Sequence, residues 1–581
     1  MSSASAASPH AVLRIGNCSG FYGDRLAAMR EMLEGGPLDV LTGDYLAELT
    51  MLILGRDRAK DPTLGYARTF LRQLEDCLGL ALDQGVRIVA NAGGLNPPGC
   101  ATAIRDLAER LGLSVKVAVV DGDDLTDRAG ELGLGQPLAA NAYLGAFGIA
   151  AACRADADVV ITGRVTDASV VVGPAIAHFD WQPTEFDALA GAMAAGHVIE
   201  CGTQATGGNF AFFRDVPDLT RPGFPIAEIR RDGSSIITKH PGTGGTVTVD
   251  TVASQLLYEI QDARYAGPDA VLRLDSITLE QNGPDRVLLS GAHGEAPPPD
   301  LKVSCTRIGG FRNEMSFVLT GLDIEAKAEL AQRQVEAALT VRPEELSWTL
   351  ARTDHDDPDS QARAAATLTV VARDPDEAKV GRAFSGAAVE IALGSYPGCF
   401  LTSPPGRGSA YGVYEARYVA QDVPGHTVTL PDGTRQLIPA PTTTSPLEPL
   451  HIDTSVTEER HGPTVNVPLG TVAGARSGDK GGNANVGVWV RSDAEFAWLD
   501  GVLTVDRLRE LLPETRELTV IRTRLPRLRA LNFVIEGLLG EGVAYAARFD
   551  PQAKALGEWL RARHVDVPTE FVPSTAEESH R

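Results

Sequence analysis

Val86-Arg87-Ile88-Val89-Ala90-Asn91-Ala92-Gly93-Gly94-Leu95-Asn96-Pro97-Pro98-Gly99 runs directly into 101–111, where Ile104, Leu107, Ala108 and Leu111 recur at helical spacing. An apolar run of strand length, a glycine-rich turn and an amphipathic helix make the repeating unit of an open α/β sheet, since a strand buried on both faces needs helices to cover it. The unit recurs on either side. Apolar runs at 12–16, 38–42, 115–120 and 158–162 predict further strands. Helices are expected at 24–33, with Leu26, Met29, Arg30 and Leu33 in phase, and at 67–82, with Phe70, Leu74, Cys77, Leu78 and Ala81 in phase. Residues 12–220 read as a doubly wound α/β domain with a mostly parallel sheet.

An alanine-rich helix is expected at 185–201, and the following Gly202-Thr203-Gln204-Ala205-Thr206-Gly207-Gly208-Asn209 cannot stay helical and reads as a loop. From 226 the period turns toward alternation. Asp232-Gly233 is a hairpin signal inside 226–237, and 271–279, 286–290, 301–308 and 315–319 read as antiparallel strands. With helices expected near 248–260, 324–339 and 376–393, residues 221–440 read as an α+β domain. Prolines and small polar residues predict an extended linker at 441–463. Residues 464–571 then carry strands near 465–474, 484–491 and 517–524 and helices near 505–511 and 551–562, the content of a small ferredoxin-like α+β domain. Residues 1–11 and 572–581 are expected to be disordered tails.

At 581 residues the chain is long enough for several cores, at about 150 residues per domain. Acidic residues outnumber basic ones 76 to 53, a net charge of -23, which argues against nucleic acid because that binding depends on Lys and Arg neutralising phosphates. The closest two of the seven cysteines are 23 positions apart, so no short pairing suited to structural zinc exists, and the set reads as reduced thiols. No basic and apolar leader opens the chain, and no uncharged apolar stretch reaches spanning length. A cytoplasmic protein without membrane or metal is expected, acting on a small molecule and, as soluble enzymes commonly do, as a homo-oligomer.

Five glycine-rich turns stand where strands hand over to helices, the edge at which such sheets bind ligands. They are Asn17-Cys18-Ser19-Gly20, the Asn91 to Pro97 turn, Thr162-Gly163-Arg164-Val165-Thr166-Asp167, Gly242-Thr243-Gly244-Gly245-Thr246 and Arg476-Ser477-Gly478-Asp479-Lys480-Gly481-Gly482-Asn483. In the second, Asn91, Gly93 and Gly94 are candidates to hold a phosphate or carboxylate at a helix start, against the plainer reading of a turn with prolines opening the helix. The turn is not the dinucleotide fingerprint, and no nicotinamide cofactor is called for. In the third, Arg164 is placed to clamp a carboxylate and Asp167 to act as base; an Arg-Asp pair with a helix cap is the alternative. Gly242, Gly244 and Gly245 suit an anionic group such as part of coenzyme A, or else form a tight turn. Lys480 beside Asp479 reads as an electrostatic anchor or acid, or as a hydrophilic hairpin turn. The acidic turns 121–124 and 354–357 lack calcium-loop spacing and read as solvated loops. Cys18 reads as a buried structural thiol.

Arg14-Ile15-Gly16-Asn17-Cys18-Ser19-Gly20-Phe21-Tyr22-Gly23-Asp24, Thr42-Gly43-Asp44-Tyr45-Leu46-Ala47-Glu48-Leu49-Thr50, the turns at 91–97 and 162–167, Gly207-Gly208-Asn209-Phe210 and 475–485 together make the chain resemble the acyclic terpene utilisation protein family, AtuA, over almost its whole length, including that family's small C-terminal domain. The resemblance implies a role in the breakdown of acyclic terpenoids such as citronellol and geraniol, through branched acyl-CoA thioesters. On that footing the expected activity is a lyase or hydratase acting on a branched acyl-CoA or related carboxylate by acid/base catalysis. Asp44, Asn91, Arg164 and Asp167 would form the polar core of the site, and coenzyme A would enter as part of the substrate. The alternative is a non-catalytic acyl-CoA-binding or assembly subunit working with a carboxylase.

Overall fold

Six strands open the chain: β1 (Val12–Asn17), β2 (Val40–Gly43), β3 (Arg87–Ala90), β4 (Val117–Asp121), β5 (Ala139–Ala142) and β6 (Val159–Thr162). In the computed structural model, which describes residues 12–448 and 462–573, five of these lie side by side in the order β1-β2-β3-β6-β4, and every pairing among them is parallel. Strand alternation sends successive side chains into two separate cores. Ile88, Val117, Val119, Val159 and Ile161 pack against the helices Ala28–Gly35, Arg68–Gln84 and Pro97–Leu111. Val89, Ala118, Val120 and Val160 belong to the other core, with the helices Phe147–Arg154, Ser169–Phe179 and Phe186–Ile199. The domain is doubly wound, as the alternating pattern predicts.

Local chemistry sets the helix ends. Asn96 caps Pro97–Leu111 by accepting the Gly99 amide at 3.0 Å, and two prolines fill positions where an amide has no helical partner anyway. Gly112 ends that helix at φ 69°, and Gly85 ends Arg68–Gln84 at φ 67°, a left-handed conformation that glycine adopts without a side-chain clash.

The sheet does not stop at 220. β7 (Pro225–Arg230) pairs antiparallel with β1, β8 (Ser235–Lys239) follows it, and Val287–Ser290 and Thr278–Gln281 complete that edge. On the far edge Thr427–Thr429 lies against β4 and Arg435–Leu437 beyond it, giving eleven strands in all. The expected division into 12–220 and 221–440 is therefore redrawn: alternation identifies a strand but not the sheet it joins, and here antiparallel strands extend a parallel centre. β5 leaves this sheet to pair with the start of the strand Asp300–Thr320, from Val303 opposite Ala142 to Thr306 opposite Ala139.

The described residues form two compact units: 12–306 with 415–448, 462–538 and 552–573, and 307–414 with 539–551. In the second, strands Phe311 to Thr320, Ala365–Asp374 and Glu345–Ala351 pair antiparallel, and the helices Ile324–Ala338 and Arg382–Glu390 cover them over a core built on Phe317, Leu368 and Phe384.

Within the first unit the small C-terminal domain is a four-stranded antiparallel sheet, Gly474–Lys480, Asn483–Trp489, Ala530–Ile535 and Val520–Leu525 in spatial order, with a separate pair Thr464–Pro468 and His564–Pro568. The stretch from Arg476 to Asn483, read as a turn, is mostly strand; only Gly481 and Gly482 stand outside the two strands. The tails at 1–11 and 572–581 and the linker at 441–463 lie wholly or for the most part outside the described residues. Among the described residues no helix is long and apolar enough to cross a membrane.

Candidate functional site

Three neighbouring strands of the parallel centre deliver polar side chains at their carboxyl ends. β2 hands over to Asp44, β3 to Asn91 and β6 to Gly163, Arg164 and Asp167. Asn91 is fully buried; its Nδ2 donates to Asp44 Oδ1 at 2.6 Å and its Oδ1 accepts the Tyr45 amide at 2.8 Å, so one carboxamide fixes both residues after β2. Gly43 permits this turn, because a Cβ there would stand 2.5 Å from the Tyr45 ring. Gly163 is equally constrained: a Cβ would lie 2.2 Å from Asp123 Oδ1. The Asp123 carboxylate in turn accepts the Arg164 amide and Asn141 Nδ2, each at 2.8 Å, and burial raises its carboxyl to about 7.

Arg164 is 5% exposed, and its charge survives because it has company. Its Nη1 donates to the Leu46 carbonyl at 2.9 Å and its guanidinium lies 4.4 Å over the Tyr143 ring. Nη2 stands 3.0 Å from Asp167 Oδ1, an ion pair outside hydrogen-bond alignment, so that buried oxygen accepts no hydrogen bond; Arg164 Nε likewise has no acceptor. Burial works against the guanidinium's charge, but Asp167, Tyr143 and Asp44 outweigh it.

More ionisable groups join from other elements. The helix Phe186–Ile199 is buried from Ala188 onward and carries His197 in its last turn, whose Nδ1 meets Glu200 Oε1 at 3.0 Å. Burial, then Lys480, pushes the His197 imidazole down to about 4, so it is neutral at ordinary pH. Burial, then Asp167 and Glu259, holds the Glu200 carboxyl well above its usual range. Asp44 is raised in the same way, first by burial and then by Asp167, with Arg164 and Asn91 pulling it partly back. Glu200 Oε2 and His197 Nε2 are both buried without a hydrogen bond. The small domain supplies Lys480. Burial disfavours its ammonium, yet Glu259, Asp167, Tyr143 and Glu200 act on it strongly enough to raise its pKa. The result is one cluster of interacting acids and two held cations, Arg164 and Lys480.

Five of the residues singled out in the sequence thus meet: Asp44, Asn91, Arg164, Asp167 and Lys480. Asp479 does not join them by the same route, because strand alternation puts Arg476, Gly478 and Lys480 on one face and Asp479 on the other. Arg476 braces the loop expected at 202–209: it donates to the Asn209 carbonyl at 2.7 Å and to Gln204 Oε1, and lies 4.4 Å over the Tyr258 ring.

The two glycine loops read as anion cradles have other work. A Cβ on Gly93 would be 2.5 Å from the Thr162 carbonyl and one on Gly94 2.4 Å from Leu54, so both glycines allow close packing. The Gly94 amide donates to the Asn91 carbonyl at 3.2 Å. Beside this turn lies a cavity of about 310 Å³ bordered by Asp121, Asp123 and Asp124 as well as Arg435, a lining that does not favour an anion. In the other loop Gly245 donates to the Pro217 carbonyl at 3.0 Å and Thr246 to the Thr206 carbonyl at 2.9 Å, while Gly244 accepts from Gly223 at 2.9 Å. Gly242 has open space around its α-carbon. Cys18 is buried and burial pushes its thiol upward, the environment of a structural thiol. Among the described residues no three His, Cys, Asp or Glu side chains are grouped so as to hold a metal ion.

A family model described as acyclic terpene utilisation family protein AtuA matches residues 13–430. The chain belongs to the AtuA family. The model of the AtuA ferredoxin-like domain matches residues 467–566, so the family's two modules both reach the cluster: Asp44, Asn91, Arg164 and Asp167 from the first, Lys480 from the second. Membership ties the protein to acyclic terpene utilisation, a catabolic role. No curated protein matches the chain.

His197, Glu200, Glu259 and Asp123 were not among the sequence candidates. Glu200 had one usable signal, its place at the end of an apolar helix immediately before a glycine-rich break; Asp123 had none beyond an acidic turn of common type.

Proposed function

We propose that this AtuA member is an enzyme acting on a branched, terpenoid-type acyl-CoA or a related carboxylate, with lyase or hydratase chemistry run by acid and base groups. One observation carries the reading: Arg164 Nε, Asp167 Oδ1, His197 Nε2 and Glu200 Oε2 are buried polar atoms without hydrogen bonds, all on residues of the same charged cluster. Buried polar atoms are costly when unpaired, and their concentration at one place marks a site that a ligand completes.

The chemistry follows from which groups hold protons. Asp167 keeps a third of its side chain open and stands beside a fixed cation, the position of a base that can accept a proton from substrate. Glu200 and Asp44, pushed toward the protonated form, are the matching acids. Arg164 and Lys480 carry positive charge to a carboxylate or to the oxyanion that a thioester carbonyl becomes. In a hydration, water would add hydroxide to the β-carbon while its proton passes to Asp167, and the α-carbon would take a proton from Glu200. We assign the enzyme to the cytoplasm and expect a homo-oligomer, in keeping with its free cysteines and the general habit of metabolic enzymes.

The test is Asp167→Asn, assayed with a panel of branched acyl-CoA thioesters by mass spectrometry. Turnover should fall about 100-fold or more with the melting temperature held near that of the parent. Undiminished turnover removes Asp167 from the mechanism, and tight binding of a thioester by the parent with no product favours the non-catalytic subunit instead.

A further inference from the structure

The neighbouring strands β3 and β6 send the chain to opposite faces of the sheet: the helix after β3, Pro97–Leu111, packs in one core and the helix after β6, Ser169–Phe179, in the other. Where connections part in this way a crevice opens outside the strand ends, and open α/β sheets bind their ligands there. Asn91, the first residue after β3, stands at that divide and is fully buried. An asparagine in a turn ordinarily bonds the backbone of its own turn. Asn91 instead spends both ends of its carboxamide on the segment after β2: Nδ2 donates to Asp44 Oδ1 at 2.6 Å, and Oδ1 accepts the Tyr45 amide at 2.8 Å.

Asp44 is thereby held by one of its two oxygens. Oδ1 accepts Asn91 Nδ2 at 2.6 Å and the Leu46 amide at 3.1 Å, which fills both of its acceptor positions. Among the described residues no hydrogen bond ends on Oδ2. Leu46 then ties this acid to the cation of the site, since its carbonyl accepts Arg164 Nη1 at 2.9 Å. Asn91, Asp44, Leu46 and Arg164 form one continuous path of direct hydrogen bonds, running from the end of β3 past the end of β2 to the turn after β6. A tie between the two loops needs only the Asn91 oxygen on the Tyr45 amide. The bond from Nδ2 adds something else, a choice between the two oxygens of an acid.

We propose that Asn91 is a positioning residue of the site: it saturates Asp44 Oδ1, so that Oδ2 is the atom through which Asp44 exchanges a proton with the substrate. The proposal rests on the reading of Asp44 as an acid of the site. A hydrogen on Oδ1 would meet two N–H donors head on, so the neutral acid carries its hydrogen on Oδ2 and keeps Oδ1 as its carbonyl. Burial, and after it Asp167, favours that neutral form. In the transfer the Oδ2–H bond breaks, its electron pair stays with the carboxylate, and the proton passes to the substrate. The Asn91 and Leu46 donors already point at the carboxylate left behind, so the new charge appears where its partners are preorganised. Asn91 thus serves both states of the acid: it directs the proton in one and stabilises the charge in the other.

The first measurement needs no substrate, so its failure is separate from a failure of the proposed chemistry. Infrared difference spectra of the full-length protein against Asp44→Asn, recorded from neutral to acid pH, isolate the carbonyl stretch of protonated Asp44. A carbonyl that accepts two hydrogen bonds absorbs at lower frequency than a free one, so the parent band should lie at the low end of the carboxyl range. In Asn91→Ala, set against the double variant with Asp44→Asn, the band should move to higher frequency and appear at higher pH, because the lost donor favoured the carboxylate. Asn91→Ser should behave in the same way. A parent band at the frequency of a free carbonyl overturns the assignment of Oδ2 even if neither Asn91 variant folds, and so does the absence of an Asp44 band down to the pH at which the protein unfolds. A band that stays in place in the folded Asn91 variants overturns the role of Asn91. With branched acyl-CoA thioesters the same variants should lose about tenfold or more in kcat with KM little changed. An undiminished kcat overturns the positioning role, whereas a parent without turnover counts against the proposed chemistry and leaves the infrared result to decide.

Discussion

Asp123→Asn should stabilise the protein above neutral pH and leave it unchanged in acid. Asp123 is 2% exposed, its Oδ2 accepts two hydrogen bonds at 2.8 Å, and burial raises its carboxyl from 3.8 to about 7. The folded state therefore binds this proton more tightly than the unfolded chain. Below the unfolded value both states are protonated and the group contributes its stability in full. Between 3.8 and about 7 the unfolded chain ionises while the folded one does not, so stability falls as pH rises, and above about 7 the loss is complete. The gap of about three units, at 1.36 kcal/mol each, makes that loss about 4 kcal/mol. An asparagine whose carbonyl oxygen replaces Oδ2 keeps both accepted hydrogen bonds and has no proton to lose. Melting temperatures of parent and variant, measured by scanning fluorimetry from mildly acid to mildly alkaline pH, should diverge as pH rises and run parallel once Asp123 is ionised. A difference that does not change with pH, or a variant that melts lower than the parent in alkali, refutes the reasoning.

Gly163→Ala should cost about 1–3 kcal/mol by overpacking, since the new methyl would fall 2.2 Å from Oδ1 of the Asp123 carboxylate, whose other oxygen Arg164 and Asn141 hold in place; chemical denaturation showing no loss would mean that the Asp123 turn yields freely. Arg476→Ala should release the short 3-10 helix Gly202–Thr206 and Asn209 from their brace, read as faster hydrogen exchange confined to 202–209, and unchanged exchange there would contradict it.

The parallel centre was legible because its signal is local. A strand buried on both faces must be apolar throughout, and a covering helix must repeat its apolar positions every three to four residues, so 86–111 announces both. Phe70, Leu74, Cys77, Leu78 and Ala81, chosen by period alone, are all buried on one side of Arg68–Gln84. What could not be read was pairing across long separations. β7 lies beside β1 although some two hundred residues intervene, and Thr427–Thr429 joins the edge at β4, because antiparallel strands carry no mark of the neighbour they will choose. The boundary drawn near 220 failed for that reason.

The site divides along the same line. Asp44, Asn91, Arg164 and Asp167 stand immediately after strand ends, where a sheet of this class exposes its ligands, and a turn rich in glycine advertises the position. Glu259 stands in a segment that reads as helix, and no rule of propensity assigns a left-handed backbone to a glutamate. Its amide donates to Asn485, 226 residues further on, and Lys480 lies on the same small sheet. The charges explain why the arrangement needs both modules. Asp44, Asp167, Glu200 and Glu259 all come from the region matched by the first family model, and of the cations that act on Glu200, Lys480 acts more strongly than Arg164. Without the second module these acids would be left with Arg164 as their principal cation, and like-charge repulsion would drive more of them to bind protons. On the proposed reading the small domain therefore contributes to the acid/base machinery through the charge of Lys480.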